Sequence, residues 1–358
     1  MAKLIFWIAF ACIAYVYAGY PLLLMVWRKV ASRPIRKVYA EPFVSLVMVM
    51  HNERENVHAK IQNCFDLDYP AEKLQLIVSL DAPTDGTDSL VSDYAAQGVD
   101  VICGSVREGK SAGLNRGVAG ATGEIVLFAD ARQRFEKGAI RELVANFSDD
   151  SVGAVSGELV LLDEDGKEAS DAIGLYWRYE KKLRAMESDI HSVPGATGAI
   201  YAIRRTLFVP LAAETILDDV VIPLRIVLGG KRAIFEPAAR ALDTVNRNPQ
   251  REYEKKQRTL TGNYQLLVEM PQLLFPWRNP IFVQFVSHKV GRLVVPYCLV
   301  ALFISNLFLR DGLYGVLLIA QGFWYLSAYA GWLTSTRESA AIPLPQRTAV
   351  RRVYEEQI

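Results

Sequence analysis

Three long apolar runs decide most of what this chain can fold into. From Leu4 to Trp27 the sequence reads LIFWIAFACIAYVYAGYPLLLMVW, without a charged residue. That exceeds the roughly 20 apolar residues a helix needs to cross a bilayer. Two further runs, Leu293 to Leu309 and Leu313 to Thr334, are separated only by Arg310, Asp311 and Gly312 and read as a tight transmembrane hairpin. The first run does not have the pattern of a cleaved signal peptide: its apolar core is too long, only Lys3 stands before it, and no small-residue cleavage site follows. A soluble protein with buried helices is the alternative, and three such runs argue against it.

Charge around the runs sets an orientation. Arg28, Lys29, Arg33, Arg36 and Lys37 follow the first, and Arg337, Arg347, Arg351 and Arg352 follow the last, whereas the short hairpin connection offers one Arg. Positive flanks stay on the cytosolic side, so the central region and the tail are expected there, on the inner face of the plasma membrane. The expected organisation is a span with its basic flank (1–37), a cytosolic domain (38–270), interfacial helices (271–292), the hairpin (293–334) and a cytosolic tail (335–358). In MPQLLFPWRNPIFVQFVSHKVGR, ahead of the hairpin, His288, Lys289 and Arg292 are placed to meet lipid phosphates, as anchors to anionic headgroups in preference to the alternative, acceptor recognition.

With 40 Lys plus Arg against 39 Asp plus Glu, the net charge of +1 gives no electrostatic support for nucleic-acid binding. Cys12, Cys64, Cys103 and Cys298 form no metal-ligand spacing and read as reduced thiols.

The first half of the central region alternates β-branched runs with polar helical segments. FVSLVMVM, LQLIVSLD, VDVICG and EIVLFAD read as strands; ERENVHAKIQNCFDL, TDSLVSDYAAQG and KSAGLNRGVAGAT read as helices between them. This succession predicts βαβ units and a mostly parallel sheet with helices on both faces. Ligands of such sheets bind beyond the carboxyl ends of the strands. At those ends stand His51-Asn52-Glu53, Asp81, Gly109-Lys110 and Asp130. Each has a plain turn-forming explanation, but together they suit a nucleotide: carboxylate to base or ribose, Lys to phosphate, Asp to a metal.

The ordered set MVMHNEREN, VSLDAPTDGT, REGKSAGLNRGVAGATGEIVLFAD and ETILDDVVIPLRIVLGGKR resembles the membrane-bound family 2 inverting glycosyltransferases with a GT-A fold. The resemblance implies a nucleotide-diphospho-sugar donor, UDP-linked by preference, a Mg²⁺ or Mn²⁺ cofactor, and a catalytic domain lying against membrane lipids. Asn52 and Glu53 match the nucleotide contact at the start of the domain, and Asp81 the acid that holds uracil or ribose. Lys110 matches the Lys of the G-K-x-x-A-L-N segment, which here has Gly113 in place of Ala; Asn115 could be purely structural.

Asp130 falls on the D-x-D of the resemblance, but Arg132 replaces its second acid. Mg²⁺ keeps water readily, so a one-carboxylate site in which the donor diphosphate is the main chelator is expected. The alternative is a metal-free site in which Arg132 meets the phosphate; Arg132 could also pair with an acid. Asp218-Asp219 match the acidic pair whose second member, Asp219, is the general base, although either could equally cap a helix. Gly195, Thr197 and Gly198, with Asp218, are assigned to the acceptor side.

The preceding LYWRYEKKLRAMES reads as an interfacial amphipathic helix or as ordinary helix packing. Of Q-x-x-R-W, only Arg258 is kept, assigned to the donor, while Lys255 and Thr259 replace Gln and Trp. The loss of Trp weakens a processive polysaccharide synthase and favours one transfer to a lipid-linked or oligosaccharide acceptor. A catalytically silent membrane scaffold is the reading from another class.

Overall fold

The computed structural model describes residues 1–163, 166–169, 172–244, 249–309 and 312–341. The hairpin residues Arg310 and Asp311 and the expected cytosolic tail beyond 341 lie outside the described residues.

Eight strands form one sheet: β1 (Val44–Met50), β2 (Leu74–Asp81), β3 (Val99–Gly104), β4 (Ile125–Ala129), β5 (Arg134–Phe135), β6 (Val152–Leu162), β7 (Ile200–Arg204) and β8 (Arg232–Thr244). Their order is β3-β2-β1-β4-β7-β6-β8-β5. The four strands expected from the apolar runs pair in parallel, as predicted. β1 and β4 are covered on both faces, which is why they read as unbroken apolar runs rather than alternating ones.

The second half is mixed. β7 runs antiparallel to β4 and to β6, β8 runs parallel to β6, and the short β5 closes the edge antiparallel to β8. This reversal has a consequence for the site. Ala129, the last residue of β4, pairs with Ile200, the first of β7, so the loop entering β7 arrives at the same edge where the parallel strands end.

Helices cover both faces. The Lys110–Ala119 helix lies so close to β1 that a Cβ on Gly113 would stand 2.6 Å from Val49 Cγ1. Gly113 is therefore the residue that lets a β-branched strand and a helix touch, which outweighs its cost in helix propensity.

The three helices long and apolar enough to cross a membrane span Ala2–Ala31, Phe282–Asn306 and Leu313–Thr334. The first contains a π-helical turn at Tyr15–Gly19, just before Pro21, whose missing N–H disturbs the regular ladder. It packs on the second span, where Tyr15 and Ser287 share a 2.8 Å hydrogen bond. The second span begins at Phe282, ahead of the expected Leu293, and includes a π-helical segment, Phe285–Val290.

The stretch 271–292, expected to lie as interfacial helices, is divided: Leu274, Phe275 and Trp277 are exposed, while other side chains of it turn into the protein. Leu273, Ile281 and Phe285 are buried in one cluster with Val220, Leu224 and Leu266 of the central region, because their apolar side chains find a protein core there. His288 and Arg292 likewise turn inward, onto Glu180 and Glu187. Headgroup anchoring by His288 and Arg292 is thereby corrected: a partly buried cation is held by carboxylates, which compensate its lost hydration.

The Ala172–Ile190 helix is a packing element between the sheet domain and the first long apolar helix. Tyr20 of the first span donates to Glu187 at 2.6 Å, Tyr179 donates to the Tyr17 carbonyl at 3.2 Å, and Arg28 meets Asp189 at 2.6 Å.

Candidate functional site

The exits of β1 and β2 are held in shapes that L-residues rarely adopt. Asn52 and Ala82 both have left-handed backbones, with φ of 54° and 46°. Asn tolerates this conformation, whereas Ala pays roughly 1–2 kcal/mol. Cross-links maintain the strain: Thr84 N–H donates to Asn52 Oδ1 at 2.7 Å, Glu53 N–H to Thr87 Oγ1 at 2.9 Å, and Asn56 Nδ2 to the Glu53 carboxylate at 2.6 Å.

Asp81 ends β2 and is buried. Its carboxylate accepts the backbone N–H groups of Glu108 and Gly109, each at 2.9 Å, and faces Arg116 at 3.4 Å. Burial acts to raise its pKa, but these donors outweigh it and hold the pKa below the ordinary value. Asp81 thus fixes the loop that presents Lys110.

Lys110 opens its helix, and its Nζ lies 2.9 Å from Asp130 Oδ1 and 3.3 Å from Asp218 Oδ2. Burial alone would lower its pKa; the negative field of Asp218, Asp130 and Asp219 prevails and raises it. The same helix is bolted to the segment carrying the acidic pair. Asn115 exchanges two hydrogen bonds with the Leu211 backbone, and Ser111 Oγ donates to the Thr215 carbonyl at 2.8 Å. Asn115 is accordingly structural.

Asp218 and Asp219 are the first two residues of the Asp218–Leu228 helix, and neither makes a capping bond; Leu217 occupies the cap position. Helix capping does not account for them. Asp218 is buried and receives the Tyr201 hydroxyl at 3.3 Å. The pKa of Asp219 is pushed up to about 6, first by burial and then by the charge of Asp218, against the opposing pull of Lys110 and Lys289.

The loop before β7 lies directly against Asp219. Ala196 N–H donates to the Asp219 carbonyl at 2.7 Å, and a Cβ on Gly198 would stand 3.1 Å from Asp219 Oδ2, so glycine there keeps the carboxylate open. The loop is held by Arg184, buried on the Ala172–Ile190 helix, which reaches Thr197 Oγ1 at 2.5 Å, Ser156 Oγ at 2.7 Å and the Gly195 carbonyl at 3.3 Å. Sequence reasoning missed this role. The available signal was Arg184 lying one turn from Glu180 and beside the apolar Leu183.

Two expected donor contacts are committed elsewhere. Arg132 Nη2 is 2.6 Å from Asp243 Oδ2, which also accepts Gln133 Nε2 at 2.9 Å; Asp243 is buried, while the Arg132 side chain remains 49% exposed. Arg258 is exposed and donates to the Ile216 carbonyl at 3.3 Å, two residues ahead of the acidic pair. With Gln265, which bonds Ile216 N–H and the Glu214 carbonyl, it pins that loop.

Among the described residues no group of three or more His, Cys, Asp or Glu side chains could hold a metal. Asp130 does present a carboxylate 39% exposed at the end of β4. That donor fits a divalent cation whose other ligands are phosphate oxygens and water.

Residues 45–209 match the family described as "Glycosyl transferase family 2". The acidic pair and Arg258 lie beyond that segment. A probable glycosyltransferase of Bacillus subtilis, YdaM, is 26% identical over 220 residues, 55% of this chain and 50% of that protein. The poly-beta-1,6-N-acetyl-D-glucosamine synthase of Staphylococcus aureus is 24% identical over 262 residues, 68% of this chain and 61% of that protein. The chain thus spans roughly half to three fifths of the length of these relatives.

Among solved structures, the mannosyltransferase PcManGT of Pyrobaculum calidifontis, in complex with GDP-Man and Mn²⁺, superposes with a TM-score of 0.70 at 22% identity, covering 99% of this chain and 98% of that one. The mixed sheet and its covering helices form a GT-A fold, accompanied by three helices long and apolar enough to cross a membrane. Over residues 45–209 the chain carries a glycosyltransferase family 2 domain.

Proposed function

We propose that the protein is an inverting glycosyltransferase that moves one sugar from a nucleotide-diphospho-sugar to a lipid-linked or oligosaccharide acceptor, with Asp219 as the general base. The observation that carries this reading is Asp219 itself: a partly buried carboxylate with a pKa near 6, open over Gly198 and set beside the Lys110-linked Asp218. A base poised near neutral pH, within reach of an acceptor hydroxyl, suits in-line displacement at an anomeric carbon.

In that reaction the acceptor oxygen forms a bond to the anomeric carbon on one face while the bond to the β-phosphate oxygen breaks on the other. The hydroxyl proton goes to Asp219, and the nucleoside diphosphate leaves with the bonding pair. Lys110 supplies positive charge beside Asp130, where the leaving diphosphate would lie. Asn52, Glu53 and Asp81 line the strand exits that would receive the nucleoside, and Asp81 sets the loop bearing Lys110. Asp130 would hold a Mg²⁺ or Mn²⁺ ion, which when bound neutralises diphosphate charge. Arg132 and Arg258 act in this reading by positioning the loops on which Asp130 and Asp219 stand.

Gly195, Thr197 and Gly198 border the acceptor side. Catalysis faces the cytosol at the plasma membrane, supported by the basic residues after the first span. The base of the donor nucleotide is the open choice: the sequence favours a UDP-sugar, and the full-length structural neighbour holds GDP-Man. The test is nucleotide release by the purified full chain across a panel of labelled UDP- and GDP-sugars. Donor-dependent release that is lost in Asp219→Asn supports the reading; release from no donor favours the silent scaffold.

A further inference from the structure

The cations where the second span enters the protein are closely accounted for, except one. His288 places Nδ1 2.8 Å from Glu187 Oε1 and Nε2 2.8 Å from Glu180 Oε1. Arg292 reaches Glu180 Oε2 at 2.7 Å and the Tyr176 hydroxyl at 3.1 Å. Arg184 is taken up by Thr197, Ser156 and Gly195. Lys289 is different: among the described residues its ammonium makes no hydrogen bond or ion pair, although it is only partly exposed. A cation removed from water without a partner is costly, and at the end of a membrane span such a group marks a functional position.

Where Lys289 points follows from the helix that carries it. His288 and Lys289 are neighbours in the π-helical segment Phe285–Val290. His288 faces the Ala172–Ile190 helix, and Lys289 faces the loop before β7, its Nζ 3.6 Å from where a Cβ of Gly195 would stand. The bare backbone of Gly195 leaves that ammonium uncovered.

Lys289 is also among the charges that act on Asp219. The acidic pair is thus flanked by two lysines with unequal commitments. Lys110, on the donor side, is held by Asp130 and Asp218. Lys289, carried by the span, has its ammonium free for a ligand that approaches from the membrane.

We infer that Lys289 reads a phosphate on the acceptor, and that the acceptor is therefore a membrane lipid with a phosphate close to the hydroxyl that attacks. This rests on the transferase reading above and narrows its acceptor to an anionic lipid. The phosphate would complete the coordination that Lys289 lacks and place the hydroxyl one step inward, over Asp219 and Gly198. Charge-assisted hydrogen bonds to phosphate are strong enough for the loss of this one lysine to cost roughly tenfold to a hundredfold in acceptor affinity.

The test compares wild type, Lys289→Gln and Lys289→Arg in the purified full chain, with three acceptors: a polyprenyl-diphosphate-linked monosaccharide, a neutral monoglycosyl diacylglycerol and a soluble sugar phosphate. The expected result is that Lys289→Gln raises KM for the polyprenyl-diphosphate acceptor about tenfold or more, leaves donor KM unchanged, and is rescued by Lys289→Arg. Equal effects on the neutral lipid, or a raised donor KM, overturn the assignment. Use of the soluble sugar phosphate as readily as the lipid overturns the membrane half of it. Binding of the polyprenyl-diphosphate compound in nanodiscs, read with no donor present, separates this inference from the transferase reading: binding indifferent to Lys289→Gln sinks the inference whatever the turnover assay shows.

Discussion

Asp218 Oδ2 lies 3.3 Å from Nζ of Lys110, so a residue from the helix after β3 and one from the helix after β7 share a single charge cluster. The two halves of the chain meet there, and the lysine that would face the donor is tied to the acid beside the proposed base. Asp218 should consequently tune Asp219 more than it touches substrate.

That coupling gives a pH prediction. Asp219 must be ionised to accept a proton, so kcat/KM should fall about tenfold per pH unit below about 6 and level off above it. After burial, the charge of Asp218 is the largest cause of the raised value. Asp218→Asn should therefore move the acid limb to lower pH. A limb that stays in place in that variant would show that another group controls it.

Asp130 is the one D-x-D carboxylate left, so Asp130→Asn should abolish turnover and weaken metal-dependent nucleotide binding together. Full activity of the wild type in excess chelator would remove the metal from the account and leave Lys110 as the principal counter-charge to the diphosphate.

Arg132 and Asp243 make a structural prediction. Arg132→Met leaves the buried Asp243 with Gln133 and the Thr244 N–H but no counter-charge, which should destabilise the domain by about 1–3 kcal/mol while changing donor affinity less than tenfold. The double variant Arg132→Met, Asp243→Asn should recover most of the lost melting temperature. A hundredfold loss of donor affinity in a stable Arg132→Met protein would return Arg132 to the phosphate.

Topology can be read by labelling single cysteines in intact cells. A cysteine at the fully exposed Asp150 should be shielded from a membrane-impermeant reagent, as should one at Thr348, and one at the exposed Leu313 should react. Reaction at Asp150 would place the catalytic domain on the wrong side for cytosolic nucleotide sugars.

The strand exits were legible because βαβ periodicity fixes them: once the apolar runs are strands, Asn52, Asp81, Lys110 and Asp130 fall at one sheet edge. Contacts closed only by the second half were not. Arg132 and Asp243 are 111 residues apart, and their pairing depends on β5 and β8 lying side by side, which no local pattern announces. The antiparallel direction of β7, which brings Gly195 to Gly198 against Asp219, is likewise a matter of chain reversal and not of periodicity. Arg184, His288 and Arg292 looked like solvent- or lipid-facing charges because their carboxylate and hydroxyl partners come from other elements. The 271–292 stretch, broken by prolines and rich in aromatics, reads alike whether it lies on a membrane or packs into a core.

As the proposed base, Asp219 is kept partly buried at some cost to the fold. Its folded-state pKa of about 6 lies above its ordinary 3.8, so the folded state binds the proton more tightly. The resulting stabilisation is complete below about pH 4, is lost as pH rises through about 6, and leaves the ionised carboxylate a burden on the order of 1–3 kcal/mol at pH 7. The most direct measurement is Asp219→Asn in the purified full chain at pH 7, recording turnover, donor affinity and melting temperature together. Turnover should fall at least a thousandfold, donor affinity should stay within a few fold of wild type, and the melting temperature should rise by a few degrees. Turnover near wild type, or a loss of donor binding with a lowered melting temperature, would contradict Asp219 as the base.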